Sequence, residues 1–278
     1  GKAKIFYSPL DVSDLQNFLT KLDNKISIYI LGGGSNTLFR DLGYDGVVIK
    51  LNKKFDYHNI SNKKKIKVGA ATNCIKLARI LANNGIGGLE FFSGIPGTVG
   101  GAIKMNAGAY GKETSSFLEE IKVINRTGEI KNIIAKEYEM GYRETSFPNN
   151  YIILEAKFLC KESDVKENLN IIKKLNKKRK LTQPITEKTS GSSFKNPKKF
   201  KAWKLIEDSG CRSYKEGDAC VSVMHANFIV NKGSATSSNI EKLGESIKEK
   251  VLENFGIELI WEIQIIGNKE ISIRGKNV

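Results

Sequence analysis

The chain is poor in residues that staple a fold or chelate a metal. Its four cysteines, Cys74, Cys160, Cys211 and Cys220, contain no C-x-x-C pair, and only His58 and His225 could join them. Zinc sites need clustered Cys and His ligands, so no metal is expected and the cysteines read as reduced thiols of a reducing compartment. No segment approaches the about 18–20 apolar residues of a membrane helix. The start, Gly1-Lys2-Ala3-Lys4-Ile5-Phe6-Tyr7, lacks the apolar core of a secretion signal, and a cytoplasmic location is expected. Internal repeats and low-complexity tracts are missing as well. What remains is a globular composition, 40% hydrophobic and 27% charged, in 278 residues, enough for two domains or one large one.

Acidic residues are also in short supply: 30 against 45 lysines and arginines, a formal charge of +15. Basic runs occur at Lys63-Lys64-Lys65, Lys173-Lys174 and Lys177-Lys178-Arg179-Lys180. Charge alone is compatible with nucleic acid, with a field that attracts anionic small ligands, and with plain solvated helix faces.

Periodicity predicts alternating strands and helices. Ile26 to Leu31 reads as a strand running into a glycine turn, and Val47–Ile49 and Ile66–Val68 as further strands. Asn73 to Asn84 carries a helical stripe of Ile75, Ala78, Leu81 and Ala82, stopped by Gly85. Ile121–Asn125 and Glu129–Ile134 flank Arg126-Thr127-Gly128 as a hairpin would. Tyr151–Leu159 is a strand candidate. A helix opening at Ser163 or Asp164 runs to the residues before Pro184, a candidate domain boundary. Helices are expected over Trp203–Ser209 and Thr236–Phe255, and a last strand over Leu259–Ile266.

Two glycine-rich stretches carry most of the chemistry. The first is Leu31-Gly32-Gly33-Gly34-Ser35-Asn36-Thr37. The second is Ser93-Gly94-Ile95-Pro96-Gly97-Thr98-Val99-Gly100-Gly101-Ala102, followed by Met105 to Gly111. Glycine lets a ligand approach the backbone with no Cβ in the way, and successive free N–H groups form a nest for pyrophosphate oxygens. Neither stretch is a P-loop or a strand-linked G-x-G-x-x-G. Each reads either as a tight structural turn or as half of a dinucleotide cradle.

Together with Tyr142-Arg143, Gly191-Ser192-Ser193-Phe194-Lys195-Asn196-Pro197, His225-Ala226-Asn227-Phe228-Ile229-Val230-Asn231 and Leu259-Ile260-Trp261-Glu262-Ile263, these blocks resemble the UDP-N-acetylenolpyruvoylglucosamine reductase family, in order and over nearly the whole chain. The resemblance implies an α+β fold: a two-subdomain FAD-binding unit of the vanillyl-alcohol-oxidase (PCMH) type, plus a C-terminal α/β substrate-binding domain. The expected division is residues 1–160, split near 50, for FAD; 161–183 as a linking helix; and 184–278 for substrate. The chain looks like the branch lacking a substrate-capping loop, and Gly1-Lys2-Ala3 looks like a start partway through the family's opening stretch.

The implied activity is NADPH-dependent reduction, through FAD, of the enolpyruvyl group of a UDP-sugar to UDP-N-acetylmuramate, in peptidoglycan precursor synthesis. The resemblance assigns FAD to Gly32, Gly33, Gly34, Ser35, Asn36, Gly94, Pro96, Gly97, Thr98, Gly100, Gly101, Ala102, Asn106 and Gly108. It assigns catalysis to Arg143, Ser192 and Glu262. Arg143 would grip the substrate carboxylate, Glu262 would act on the same charged intermediate, and Ser192 would supply a proton with a neighbouring cation such as Lys195 or a water relay. Lys180, Lys195, Asn196 and His225 would contact the UDP-sugar. A monomer binding neither nucleic acid nor membrane is expected.

Gln264 stands where the family often has arginine, and Thr145 where serine is common. Cys211 and Ser213 replace a usual leucine and glycine, with no consequence that follows from the sequence. A same-fold flavoprotein acting on another sugar or hydroxy acid would keep the glycine blocks without needing Arg143, Ser192 and Glu262 together. A basic nucleic-acid-binding protein would rest on charge alone.

Overall fold

A computed structural model describes residues 1–269. The chain forms two compact units: a larger one from Tyr7–Ser35 and Ile49–Ile185, and a smaller one from Gly1–Phe6, Asn36–Val48 and Thr186 onward. Helix and strand are mixed in both, the α+β content expected of the sequence.

The larger unit is built on a five-stranded antiparallel sheet, ordered Ile130–Ile134, Leu118–Ile124, Ile152–Leu159, Lys65–Gly69, His58–Asn62. The hairpin expected around Arg126-Thr127-Gly128 forms its edge, with Ile121 opposite Ile133. The Asn125 carboxamide oxygen ties that turn by accepting from Thr127 N and Glu129 N, at 3.0 Å each. Helix α1 (Val12–Lys21), which the sequence reading missed, is capped by Asp11 and buries Leu15 and Leu19. Helix α2 (Cys74–Asn83) starts where the Asn73 side chain accepts from Lys76 N, and it buries Leu77, Ala78, Leu81 and Ala82. The short helix α3 spans Val99–Lys104. Helix α4 (Val165–Thr182) is capped by Asp164 and buries Ile172. Phe91, Phe92 and Phe158 fill the core between sheet and helices. The strand expected over 26–31 shortens to Ile28–Ile30, because Ile26 N closes a turn onto Asp23 O at 3.0 Å.

The smaller unit holds a four-stranded antiparallel sheet, ordered Lys188–Thr189, Ile229–Asn231, Ala219–Val221, Lys215–Glu216. Helix α5 spans Ala202–Asp208 and α6 spans Ser237–Phe255. Thr236 and Asn239 form a reciprocal capping box at the start of α6. Its Leu243, Ile247 and Val251 pack with Phe194, Leu205, Ile206 and Leu259.

The last expected strand is corrected. Only Gln264–Ile266 is a strand, parallel to Thr37–Phe39. Residues 259–263 instead bond to the loop that precedes α5: Lys195 N donates to Ile260 O and Glu262 N to Ser193 O, both at 2.8 Å. Periodicity reads an extended apolar run as a strand, but the partner here is a loop and pairing is reduced to one bridge, Phe194 with Trp261.

Candidate active site

In the larger unit the two glycine stretches lie against each other. A Cβ on Gly33 would sit 2.6 Å from the Cα of Gly97, which itself has φ +114°. Neither position accepts a side chain without moving backbone. Ser35 Oγ locks the pair by donating to Pro96 O at 2.8 Å. Gly32 faces Thr98 Oγ1, and Thr98 caps α3 by accepting from Gly101 N at 3.4 Å.

The donors at this place divide into two sets. The first-turn donors of α3 are used inside the protein: Val99 N to Thr72 O and Gly100 N to Ala70 O, both at 2.9 Å. Ala102 is buried, and Gly100 packs on Ala70. By contrast, the N–H groups of Gly32, Gly33, Gly34 and Ser35 donate to no other described residue, and Gly33, Gly34 and Gly101 are exposed. Successive unbonded N–H groups of this kind can receive an anion, as a dinucleotide's pyrophosphate at the first glycine turn would require. The Ser93 hydroxyl is a buried group with no partner among the described residues. Gly94 lies against the ring of Tyr110.

Arg143 sits at the tip of the hairpin Met140–Gly141 and Glu144–Thr145, in the left-handed region at φ +60°. That conformation is costly for a non-glycine residue. Its guanidinium stacks on Tyr142, 5.0 Å from the ring centroid, and donates to Gly108 O at 3.0 Å. Asn106 is completely buried, and both ends of its carboxamide are bonded within the protein.

Lys180 projects from the last turn of α4. With Arg79, Lys173, Lys177, Leu169 and Leu181 it lines a groove of about 650 Å³ between α2 and α4. Its neighbour Arg179 escaped the sequence reading. It is half-buried, donates to Gln183 Oε1 at 3.1 Å, and burial lowers its pKa. On the same helix Lys178 lies 5.7 Å from the Tyr110 ring centroid, and Tyr110 Oη donates to Leu175 O. The only available signal was the dense run Lys177–Lys180, which does not say which cation is buried.

In the smaller unit Glu262 N donates to Ser193 O, the residue next to Ser192. The two adjacent serines are sharply different. Ser193 is fully buried, and its hydroxyl accepts from Ile229 N at 3.2 Å. Ser192 is half-buried, and its hydroxyl has no partner among the described residues. Asn227, unremarked as a site residue in the sequence reading, organises this loop from below. It is 4% exposed; its Oδ1 accepts from Phe194 N at 2.9 Å and its Nδ2 donates to Phe194 O at 2.8 Å.

Asn36 belongs to this unit and serves Glu262 directly: its Nδ2 donates to Glu262 O and its own carbonyl accepts from Gln264 N, both at 2.9 Å. Gln264 is exposed. Asn196 Oδ1 accepts from Ala202 N at the start of α5, and Lys195 is half-buried beside it. His225 lies between Phe228, at 4.8 Å, and Trp203, at 6.3 Å. Burial lowers its pKa, so the ring is neutral at pH 7, with Nδ1 accepting from Asn227 N. Cys74, Cys160, Cys211 and Cys220 are free thiols.

Residues 3–133 match the FAD binding domain family, and residues 183–266 match the family described as UDP-N-acetylenolpyruvoylglucosamine reductase, C-terminal domain. The UDP-N-acetylenolpyruvoylglucosamine reductase of Orientia tsutsugamushi (strain Ikeda) is 41% identical over 98% of this chain and 90% of its own length. That of Rickettsia akari (strain Hartford) is 42% identical over 96% of this chain and 90% of its own. Among solved structures, UDP-N-acetylenolpyruvylglucosamine reductase from Thermus caldophilus superposes with a TM-score of 0.83 at 31% identity. That match covers 94% of this chain and 91% of the other.

Proposed function

Since this chain belongs to the UDP-N-acetylenolpyruvoylglucosamine reductase family, we propose that its catalytic work is divided among Arg143, Ser192 and Glu262. The reaction is reduction of the enolpyruvyl group of UDP-N-acetylenolpyruvoylglucosamine at the expense of NADPH, in peptidoglycan synthesis. When bound, FAD supplies the two-electron relay between NADPH and the carbon–carbon double bond.

The protein's own residues have three tasks. The first turn, Gly32 to Ser35, receives the cofactor's pyrophosphate with its open N–H groups, backed by Gly94, Pro96, Gly97, Thr98, Gly101 and Gly108. Arg143 pairs with the substrate carboxylate, where negative charge collects as the double bond is reduced. A fixed guanidinium stabilises that charge without reorganising. Ser192 delivers the proton to the carbon beside the carboxylate. A hydroxyl is a weak acid, so the neighbouring ammonium of Lys195 or a water relay assists it. Glu262, held at its backbone by Ser193 and Asn36, faces the same charged intermediate. Lys180, Lys195, Asn196 and neutral His225 complete the contacts to the UDP-sugar.

The observation that carries this reading is the contrast between the two serines. Two adjacent residues of one type differ in engagement: Ser193 is buried and bonded to Glu262 N and Ile229 N, while the Ser192 hydroxyl has no partner among the described residues. We also take the protein to be a cytoplasmic monomer that binds neither nucleic acid nor membrane. Among the described residues no helix is long and apolar enough to cross a membrane.

The test is the absorbance spectrum of the purified protein, first with NADPH and then with the enolpyruvyl UDP-sugar. A flavin band bleached by NADPH and restored by the sugar is the expected result. Bleaching without restoration would make the protein a reductase of some other acceptor.

A further inference from the structure

We propose that Asn106 is a positioning residue for Arg143, setting the guanidinium in place through the backbone of the hairpin that carries it. The inference rests on the role given above to Arg143.

Asn106 is fully buried, and its backbone is held at φ +37°. Nδ2 donates to Gly141 O at 2.9 Å and, more weakly, to Met140 O at 3.4 Å. Oδ1 accepts from Ser115 N at 2.9 Å. The carboxamide is therefore satisfied inside the protein, and its donors end on the strand immediately before Tyr142-Arg143. Arg143 returns the connection: its guanidinium donates to Gly108 O, two residues beyond Asn106. Hairpin and glycine loop are thus joined at two points. One is a side chain from the loop onto the hairpin backbone, and the other is a side chain from the hairpin onto the loop backbone. The hairpin's two strands pair at Met140 with Thr145 and Gly141 with Glu144, extended at the base by Ser146 N donating to Glu139 O at 2.8 Å. So short a ladder does little to fix its tip, and Arg143 is in a conformation that its own backbone disfavours. The Asn106 amide supplies an outside constraint on the strand that leads into Arg143, while Thr145 Oγ1 ties the opposite strand by donating to Lys104 O at 3.2 Å. No ligand is needed to account for any of the amide's bonds.

The test is a double-mutant cycle on the flavin-loaded protein, with Asn106→Asp, Arg143→Ala and the combination. Asn106→Asp is isosteric and keeps the acceptor for Ser115 N, but loses the donor to Gly141 O. Three quantities are read: flavin content, the rate of bleaching by NADPH, and the rate at which the enolpyruvyl UDP-sugar reoxidises the NADPH-reduced protein. Asn106→Asp is expected to keep its flavin and its rate of bleaching by NADPH. Reoxidation should slow by about tenfold to 10²-fold, the usual cost of a small misplacement of a reacting group. The double variant should be no slower than Arg143→Ala alone, since a positioning residue has nothing to act on once the guanidinium is gone.

Multiplying losses in the double variant would overturn the inference. So would loss of flavin from Asn106→Asp, because the amide would then be holding the cofactor site or the fold. If Arg143→Ala alone reoxidises at the wild-type rate, the role of Arg143 fails and this inference falls with it, an outcome distinct from the other two.

Discussion

Replacing Asn227 by alanine tests how the Ser192 loop is held. The side chain is 4% exposed and Phe194 is 1% exposed, so both backbone groups of Phe194 lose their partner in a place remote from water. An orphaned buried polar group costs about 1–3 kcal/mol, so the pair costs about 2–6 kcal/mol. Entry of one water into the vacated space would bring the figure toward the lower end. The bond from Ser193 N to Asn227 O is backbone to backbone and survives the substitution. Both tryptophans, Trp203 and Trp261, belong to the smaller unit. Tryptophan fluorescence therefore reports the unfolding of that unit even where the whole chain is not two-state. At about 2–4 °C per kcal/mol for a protein of this size, the fluorescence-detected midpoint should fall by at least about 4 °C. Asn227→Asp keeps the acceptor for Phe194 N and loses only the donor, so it should fall about half as far. A melting curve of Asn227→Ala within 1 °C of wild type would falsify the accounting (a threshold set at roughly half a kcal/mol).

Three further outcomes are expected. Ser192→Ala should keep its flavin and lose about 10²–10⁴-fold in turnover with the UDP-sugar, whereas Ser193→Ala should lose stability first; steady-state rates beside melting curves separate the two. Burial by itself would raise the Glu90 carboxyl, but the Gly88 N–H and the Lys112 ammonium outweigh it and hold the pKa below the usual range. A carboxylate depressed in the folded state stabilises above its unfolded pKa of about 4.3 and loses that contribution as pH falls through the folded value. Glu90→Gln should therefore be less stable than wild type at pH 7, with the gap closing below pH about 4; parallel melts from pH 7 to 3 check it. In Gly244→Ala the new Cβ would stand 2.0 Å from the Trp261 ring. Overpacking of this kind costs about 1–3 kcal/mol, and a shifted tryptophan emission maximum should accompany it; unchanged emission and stability would contradict the packing described.

Local signals were reliable where the chain pairs with itself nearby. The Arg126-Thr127-Gly128 hairpin, the capped starts of α2, α4 and α6, and the glycine stops after α2 and α6 all involve residues a few positions apart. Helix α1 was missed, although Asp11 is a good cap and Leu15 and Leu19 are spaced for one face. Its apolar residues Val12, Leu15, Phe18 and Leu19 also recur at helical spacing, so the signal was present in the sequence. The run Leu259–Ile266 was read as one strand because an extended apolar segment looks the same whether its partner is a strand or a loop.

The sequence by itself determined the chemistry on offer: two glycine turns suited to a pyrophosphate, an arginine after a tyrosine, adjacent serines and a glutamate in an apolar run, all recognisable as one family. These are properties of residue type and spacing, which survive in a linear string. The tertiary structure alone decided which of equivalent residues is engaged. It buries Ser193 and leaves the Ser192 hydroxyl without a partner among the described residues, desolvates Arg179 beside exposed Lys178 and Lys180, and turns the Asn106 amide inward onto the Arg143 hairpin. It also places residues 1–6 and 36–48 in one unit with the C-terminal part of the chain. The physical reason is the same throughout. Burial and hydrogen bonding depend on partners tens to hundreds of residues away, such as Ile229 for Ser193 and Glu262 for Asn36, and no local pattern encodes them.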